Sequence, residues 1–391
     1  MAEPRLGPRA AALAGAGQSD FWAIPTAALI RARAGEPVLL LSLGDPVDPP
    51  HPAITRATVA ALEAGRTHYG PLLGEPALRA AVAAAEGADP ANVAIVAGAQ
   101  HGVFATLMLL AGPGDEVLLS DPHYATYPGV VAAAGARAVP VPAPLDRAVD
   151  FASLAAAITP ATRVILLTSP ANPTGAALTR ADFAELSALC ERRGLWLVVD
   201  EVYRHFGADG PPPGAWVHGP RGRTVVVNSL SKSHAMTGYR IGWVVAPEPL
   251  VTAFDDWAAA AHFGVSQFVQ DGAIAALAVP EAELAGYRAG FRERARQVVA
   301  RANAIPGLAA RLPAGGMFVM VSVAGTGLDD LAFAERLFHE ESVALVPGRG
   351  FGAGGAGHVR VSLTPDAATL DAAFDRIGAL VARLGRGRMA S

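Results

Sequence analysis

Short apolar runs alternate with amphipathic stretches through the middle of this 391-residue chain. Between the apolar runs, stretches such as Thr179–Arg193 repeat apolar residues at helical spacing. Continuous Val, Leu and Ile runs separated by helices are typical of a sheet covered on both faces, so the pattern predicts an α/β fold with a mainly parallel central sheet. The predicted strands are Val93–Ala97, Glu116–Ser120, Arg163–Thr168, Leu195–Asp200, Thr224–Asn228 and Ile241–Ala246.

The pattern changes near Pro280. A long helix is predicted over Glu281–Asn303, strand candidates follow in PAGGMFVMVSV and HVRVSL, and a last helix is predicted over Pro365–Leu384. We therefore expect a large domain over residues 46–280 and a smaller α+β domain over residues 281–391. Residues 1–45 are expected to form an N-terminal arm, loose over residues 1–18, and to contribute part of the small domain.

Composition and charge exclude several classes of protein. No apolar run approaches the roughly 18–20 residues of a membrane span. The net charge is −4 without a basic stripe, so neither nucleic acid nor an anionic membrane is an expected partner. The single cysteine, Cys190, excludes an internal disulfide and a cysteine-built metal site, and no metal is expected. The N-terminus lacks the apolar core of a secretory signal, which predicts a cytoplasmic protein.

Lys232 is the only lysine, and arginine supplies 30 of the 31 basic residues. A GC-rich coding sequence explains the bias towards arginine but not why one lysine remains. A residue that must form an imine with an aldehyde cannot be arginine, because a guanidinium does not lose its proton. The lysine could also have survived by chance, so the residues around Lys232 decide between the two possibilities.

Two segments near Lys232 are suited to bind a phosphate. In SLSKSHAMTGYRIGW (229–243), Ser229 lies three residues before Lys232 and Arg240 eight residues after it. A hydroxyl and a guanidinium are natural phosphate partners. The segment VAGAQHG predicts a strand, a Gly-rich turn and a helix, whose first N–H groups, on Ala99 and Gln100, form an anion site. An aldehyde cofactor tethered by a phosphate would need all of these groups.

Other polar residues follow predicted strands, where open α/β sheets bind ligands. Asp200 ends a strand, with Tyr203 three residues later, and an aspartate there can pair with a protonated pyridine nitrogen. Asn172 in SPANPTGA is stiffened by prolines and can share a phenolate oxygen with Tyr203. Tyr124 follows another strand and can stack on a pyridine ring. Taken singly, each residue also fits an ordinary loop.

Together these segments closely resemble the class I/II aminotransferases, which are pyridoxal phosphate (PLP) enzymes of the aspartate aminotransferase superfamily. The resemblance runs from about Leu41 to Leu363. Seven segments carry it, in family order: SLGDP, HYGPLLGEPALRAAVA, PGDEVLLSDPHYATYP, SPANPTGA, VVDEVY, NSLSKSHAMTGYRIGW and VPGRGFGAGGAGHVRVSL. It implies the PLP-dependent transferase fold type I, pyridoxal 5′-phosphate as cofactor, and a homodimer with shared active sites.

The resemblance also implies the role of each site residue. Lys232 would form the internal aldimine and move the substrate proton. Asp200 would pair with the ring nitrogen of the cofactor, and Tyr203 would contact its phenolate oxygen. Arg360 would bind the substrate α-carboxylate, with Gly44 and Asn172 beside the substrate. Tyr69 would reach the phosphate of the partner subunit. The cofactor-binding residues implied in the same chain are Ala99, Gln100, Tyr124, Asn172, Asp200, Tyr203, Ser229, Lys232 and Arg240.

The implied reaction is ping-pong transamination from an L-amino acid to a 2-oxo acid. The same fold hosts C–S β-lyases, ring-forming synthases and amino-acid oxidases, so these stay alternatives. A non-enzymatic regulator with a PLP fold would need a basic DNA-binding domain, for which the start of this chain has no room. Residues 21–30 would line the entrance and favour aromatic or neutral substrates. A distal carboxylate would need an arginine, because the cofactor occupies Lys232.

Overall fold

The structure is a computed structural model that describes residues 6–14 and 19–389. Its N-terminal segment contains α1 (Pro8–Ala14), α2 (Ser19–Arg33) and β1 (Leu39–Leu40). Within residues 1–18, expected to form a loose arm, the alanine-rich stretch Pro8–Ala14 is helical and none of its residues is buried, so the expectation of an arm stays a prediction. Residues 1–5 and 15–18 lie outside the described residues.

The middle of the chain folds around one seven-stranded sheet with the strand order β2-β8-β7-β6-β5-β3-β4. β8 runs antiparallel to both of its neighbours, and all other pairs are parallel. This confirms the predicted mainly parallel sheet. The elements in chain order are α3 (Pro52–Glu63), α4 (Pro76–Glu86), β2 (Val93–Val96), α5 (Ala99–Leu110), β3 (Glu116–Asp121), α6 (Tyr127–Ala134), β4 (Arg137–Pro142), α7 (Phe151–Ala157), β5 (Thr162–Thr168), α8 (Arg180–Arg193), β6 (Trp196–Asp200), α9 (Ala215–His218), β7 (Thr224–Ser229), α10 (Leu230–Ser233), β8 (Gly242–Val245), α11 (Glu248–Ala261) and α12 (Gln267–Leu277).

Helices cover both faces of the sheet. Alternate residues of β6 pack into two different cores, with Val198 in one and Leu197 in the other. The core around Val198 includes Val103 of α5, and the core around Leu197 includes Phe183 of α8. A strand that is buried on both faces must be apolar at every position, which explains the continuous apolar runs in the sequence.

A smaller lobe follows, which we define as residues 281–389. Its four-stranded antiparallel sheet has the order β12-β13-β10-β9. β1 of the N-terminal segment pairs in parallel with β11, so this segment packs against the small lobe. The domain boundaries at residues 45/46 and 280/281 stay predictions. The elements are α13 (Glu281–Asn303), β9 (Ala309–Ala310), β10 (Phe318–Ser322), α14 (Asp330–Glu341), β11 (Val343–Ala344), β12 (Val346–Pro347), β13 (His358–Ser362) and α15 (Ala367–Met389).

None of the helices within residues 6–14 and 19–389 combines the length and the hydropathy that a membrane span requires.

Candidate active site

Every predicted site residue except Tyr69 lines one cavity of about 520 Å³. The sheet topology brings these residues together, because β5, β6 and β7 are parallel and their carboxyl ends meet at one edge. Asp200 and Ser229 end two of these strands. The predicted residues in the lining are Gly44, Ala99, Gln100, Tyr124, Asn172, Asp200, Tyr203, Ser229, Lys232, Arg240 and Arg360.

Lys232 lies on α10, the short helix that follows β7. Its Nζ donates a hydrogen bond of 2.6 Å to the carbonyl of Gly44. The pKa of Lys232 is lowered to about 8, mainly by burial and also by the positive charges of Arg240 and Arg360, whereas Asp45 and Asp200 oppose the shift. A substantial fraction of the amine is therefore neutral near pH 8, as a nucleophile or general base requires.

Asp200 is buried at the end of β6. Its Oδ1 accepts a hydrogen bond of 3.1 Å from the backbone N–H of Val202, and its Oδ2 accepts one of 2.9 Å from the hydroxyl of Tyr127. Burial raises the pKa of Asp200 to about 6, although both hydrogen bonds oppose that rise. Such a carboxylate is stabilised by a cation placed against it.

Sequence reasoning missed Tyr127, which also shares a hydrogen bond of 2.7 Å with the hydroxyl of Thr168. The signal in the sequence was the second tyrosine of HYATYP, three residues after Tyr124. Tyr124 and Tyr127 indeed pack edge to face, with ring centroids 5.6 Å apart.

Four groups converge where a phosphate would be bound. Ala99 and Gln100 begin α5, so their N–H groups have no partner within the helix. Ser229 caps the start of α10. Arg240 donates to the carbonyl of Thr237 at 2.8 Å and forms no ion pair within the described residues. Gly98 adopts φ 83°, and a Cβ at this position would collide with the Arg240 guanidinium.

Arg360 is a buried cation on β13. Its Nη1 donates to Oδ1 of Asn172 at 2.9 Å, and its Nη2 donates to the carbonyl of Ser42 at 2.7 Å. Its Nε has no hydrogen-bond partner, and within the part of the chain that the structure describes no carboxylate pairs with it. The guanidinium lies 4.0 Å from the ring centroid of Phe318 and 4.8 Å from that of Phe351. Burial lowers the pKa of Arg360 to about 10.

Two predicted tyrosines differ sharply in their surroundings. Tyr203 is buried in the cavity wall, and burial raises its pKa above the usual value, so its hydroxyl stays protonated as a hydrogen-bond donor. Tyr69 is 82% exposed and packs against Phe263, with ring centroids 5.1 Å apart. Within one chain the structure therefore does not bring Tyr69 to the other site residues.

A buried polar cluster that sequence reasoning missed lies behind the cavity. Oε1 of Glu86 accepts hydrogen bonds of 3.0 Å from Asn228 and from Trp243. Asn228 in turn accepts from the backbone N–H of Ser229 at 2.8 Å. Arg204 balances the cluster with an ion pair of 3.3 Å to Glu86. The cluster thereby fixes the backbone of Ser229 at the end of β7.

The sequence and the fold match known aminotransferases. The family model described as aminotransferase class I and II matches residues 36–377. Arginine–pyruvate transaminase AruH of Pseudomonas aeruginosa is 42% identical over 373 residues, which cover 93% of this chain and 95% of that protein. An aspartate aminotransferase of Pyrococcus horikoshii is 33% identical over 359 residues, which cover 89% of this chain and 91% of that protein.

A solved structure of an aspartate aminotransferase from Rhizobium meliloti superposes with a TM-score of 0.90 at 31% identity. The superposition covers 97% of this chain and 100% of that one. The predicted fold type and the predicted reaction, amino-group transfer between an amino acid and a 2-oxo acid, are thereby confirmed. The chain is an enzyme and belongs to the class I and II aminotransferase family.

Proposed function

We propose that the cavity binds pyridoxal 5′-phosphate, that Lys232 carries it covalently, and that the enzyme transfers amino groups by a ping-pong mechanism. One observation carries the proposal. The Lys232 amine shares the cavity with Arg33, Arg240 and Arg360, of which the last two lower its pKa and have no carboxylate partner among the described residues. Two anions are therefore expected as ligands, a phosphate at Arg240 and an α-carboxylate at Arg360.

The residues present fit this cofactor. Backbone N–H groups of Ala99 and Gln100, the hydroxyl of Ser229 and the guanidinium of Arg240 would hold its phosphate. When bound, PLP supplies an electron sink for the negative charge that develops at the substrate Cα. The residues proposed for the ring are Asp200 at its nitrogen, Tyr203 and Asn172 at its phenolate oxygen, and Tyr124 at its face.

The chain's own residues then orient the substrate and move its proton. Arg360 binds the α-carboxylate as a bidentate fork and so fixes the direction of the Cα–H bond. Lys232, whose amine becomes free once the substrate's amino group has taken its place on the cofactor, accepts the Cα proton as a general base. Asp200 stays ionised beside the protonated ring nitrogen that it would contact. It stabilises the positive charge there, and this charge favours loss of the Cα proton.

A homodimer is part of the proposal. Tyr69 and Phe263 form an exposed aromatic pair. Val59 and Leu62 are exposed on α3, which packs against α12. Exposed apolar residues on and next to these two neighbouring helices support a protein interface. Across it, Tyr69 would contribute to the site of the partner subunit. The proposed cytoplasmic location rests on the sequence expectation alone.

The substrate side chain would lie along α2. Trp22, Leu29 and Arg33 line the cavity at helical spacing, and Phe21 packs near Arg360 with 5.8 Å between its ring centroid and the guanidinium carbon. Arg33 lies roughly 18 Å along the helix axis from Phe21, at 1.5 Å per residue over twelve residues. Trp22 therefore lies closer than Arg33 to Phe21, the residue of α2 that packs near Arg360.

This arrangement favours substrates with neutral or flat side chains that contact Trp22. Aromatic rings stack on an indole, and a guanidinium does so through its cation–π attraction. The name of the Pseudomonas relative makes L-arginine the first basic amino acid to test. L-Phenylalanine and L-tyrosine are the corresponding aromatic substrates.

A half-reaction screen tests the proposed function. Enzyme saturated with PLP is mixed with one amino acid at a time, and the absorbance of the pyridoxal form is followed as it converts to the pyridoxamine form. We expect conversion by at least one amino acid and reversal by a 2-oxo acid such as pyruvate. Release of ammonia or hydrogen peroxide without the pyridoxamine form would instead indicate a lyase or an oxidase.

A further inference from the structure

Lys232 is held at both its side chain and its carbonyl by segments outside the central sheet. Its Nζ donates to the carbonyl of Gly44 at 2.6 Å, and its own carbonyl accepts a hydrogen bond of 2.8 Å from the hydroxyl of Tyr287. Gly44 follows β1, which pairs with β11 of the small lobe. Tyr287 lies on α13, the first helix of that lobe. Both contacts with Lys232 therefore come from segments joined to the small lobe.

The backbone groups that follow α10 bind the carbonyl of Lys232 only weakly. α10 has only four residues, so the carbonyls of its last turn lack intrahelical partners. The N–H of His234 is shared between the carbonyls of Leu230 and Lys232. The N–H of Ala235 is 3.5 Å away, and Ala235 adopts the left-handed φ of 54° that residues with side chains rarely adopt. The hydroxyl of Tyr287 thus supplies the short hydrogen bond.

Packing fixes the direction of this hydroxyl. The ring of Tyr287 lies edge to face with Phe206 at 6.1 Å and with Phe291 at 5.3 Å between centroids. Arg292, five residues further along α13, donates to the carbonyl of Gly207 at 3.3 Å. Burial raises the pKa of Tyr287 above its usual value, so the hydroxyl keeps the proton that it donates. α13 is therefore tied to the segment that follows Asp200 as well as to Lys232.

We propose that Tyr287 is a positioning residue for Lys232, which fixes the end of α10 and so couples the placement of the amine to the position of the small lobe. This inference rests on the proposed role of Lys232 as the cofactor-carrying base. Without the hydroxyl, the end of α10 is free to shift. A misplacement of about 1 Å at a catalytic group costs up to roughly 10²-fold in rate. The binding of the substrate carboxylate by Arg360 should be unaffected.

The single lysine makes a direct test possible. Protein labelled with [1-¹³C]lysine has one labelled carbonyl, that of Lys232, and so gives one resonance from the hydrogen-bond acceptor itself. In Tyr287→Phe we expect this resonance to move upfield, as it does when a carbonyl loses a donor. We also expect the maximal rate of the half-reaction to fall roughly 3- to 30-fold, with less than about a two-fold change in the Kd of the amino acid.

Tyr239→Phe is the matched control. Tyr239 lies seven residues after Lys232, and its hydroxyl forms no hydrogen bond within residues 6–14 and 19–389. This variant should leave the lysine carbonyl resonance and the half-reaction rate as in the wild type. An equal effect of both variants would overturn the inference.

Other outcomes separate the inference from the proposed function. An unmoved resonance in Tyr287→Phe overturns the inference, even with a slower rate, because the loss would then come from packing. If Tyr287→Phe does not fold, wild-type protein made with 3-fluorotyrosine is measured in its place. The fluorinated phenol is a stronger donor, so the Lys232 carbonyl resonance should move downfield. No movement would refute the hydrogen bond. If borohydride traps no PLP adduct on wild-type Lys232, the proposed function itself fails.

Discussion

The hydroxyl of Tyr127 donates to Oδ2 of Asp200 at 2.9 Å. The same hydroxyl is held by a hydrogen bond of 2.7 Å to Thr168 at the end of β5. Since burial alone raises the pKa of Asp200, this donor keeps the carboxyl group more acidic than its position would otherwise allow. Tyr127 thereby extends the range of pH over which Asp200 is an anion.

Tyr127→Phe should move the acidic limb of the pH profile to higher pH. The pKa of Asp200 is about 6 before a cation is placed against it, and its carboxylate is lost as the pH falls through its pKa. Removing a donor to the carboxylate raises this pKa further, by roughly one unit. The measurement is the half-reaction rate between pH 5 and 9, with Tyr239→Phe as the control. A limb that stays in place or moves to lower pH would contradict the proposed contact.

Lys232→Arg should abolish both the borohydride-trapped adduct and the half-reaction, the latter by at least roughly 10³-fold. The guanidinium keeps the charge but cannot act as an amine nucleophile or base. Mass spectrometry after borohydride treatment gives the mass and the position of the adduct.

Arg311→Lys, combined with Lys232→Arg, tests whether any lysine would serve. Arg311 is exposed and pairs with Asp146 on the surface. The double variant again contains one lysine, but outside the cavity. It should regain neither the specific adduct nor activity. Restored turnover in this variant would sink the assignment of Lys232.

Gly98→Ala should weaken the retention of PLP. A methyl group there collides with Arg240, and alanine at φ 83° is strained. We expect the apparent Kd for PLP, measured on the protein freed of cofactor, to rise roughly ten-fold or more, equivalent to about 1.4 kcal/mol. Gly112→Ala is the control, because a Cβ at Gly112 meets no atom within 4 Å. Equal cofactor affinity in both variants would rule out this phosphate site.

Trp22→Leu should reduce selectivity for flat side chains. Trp22 is 39% exposed and packs edge to face against Phe21, with ring centroids 4.7 Å apart. Loss of the indole should lower kcat/KM for phenylalanine, tyrosine or arginine roughly 3- to 10-fold. L-Alanine, which is too short to reach the indole, serves as the internal control. A loss of the same size with alanine would exclude Trp22 as the surface that contacts the side chain.

Much of the central sheet was predictable, because a short continuous apolar run bounded by turn residues is typical of a strand buried on both faces. Each of the six predicted strands is present within two residues of its predicted ends. β4 was missed since its prolines, Pro140 and Pro142, argue against a strand, and they are tolerated here only because β4 lies at the edge of the sheet.

The candidate site was likewise predictable only in part. Asp200 and Ser229 could be grouped from sequence, because they end parallel strands that share an edge. Arg360 comes from the small lobe, and no local pattern distinguishes it from a surface arginine, so only the family resemblance brought it into the site. The tertiary contacts of Tyr127 and Tyr287 were not predictable, because each depends on packing between distant segments.

The position of the lone lysine has a consequence beyond catalysis. Its amine lines the cavity, so the outer surface of the protein offers no ε-amino group. Lysine acetylation and the attachment of ubiquitin to lysine use that group, and both are therefore closed to the exterior of this enzyme. The arginines keep their charge at any physiological pH. Cells that regulate metabolic enzymes through lysine modification would have to control this one by its synthesis, its degradation or its ligands.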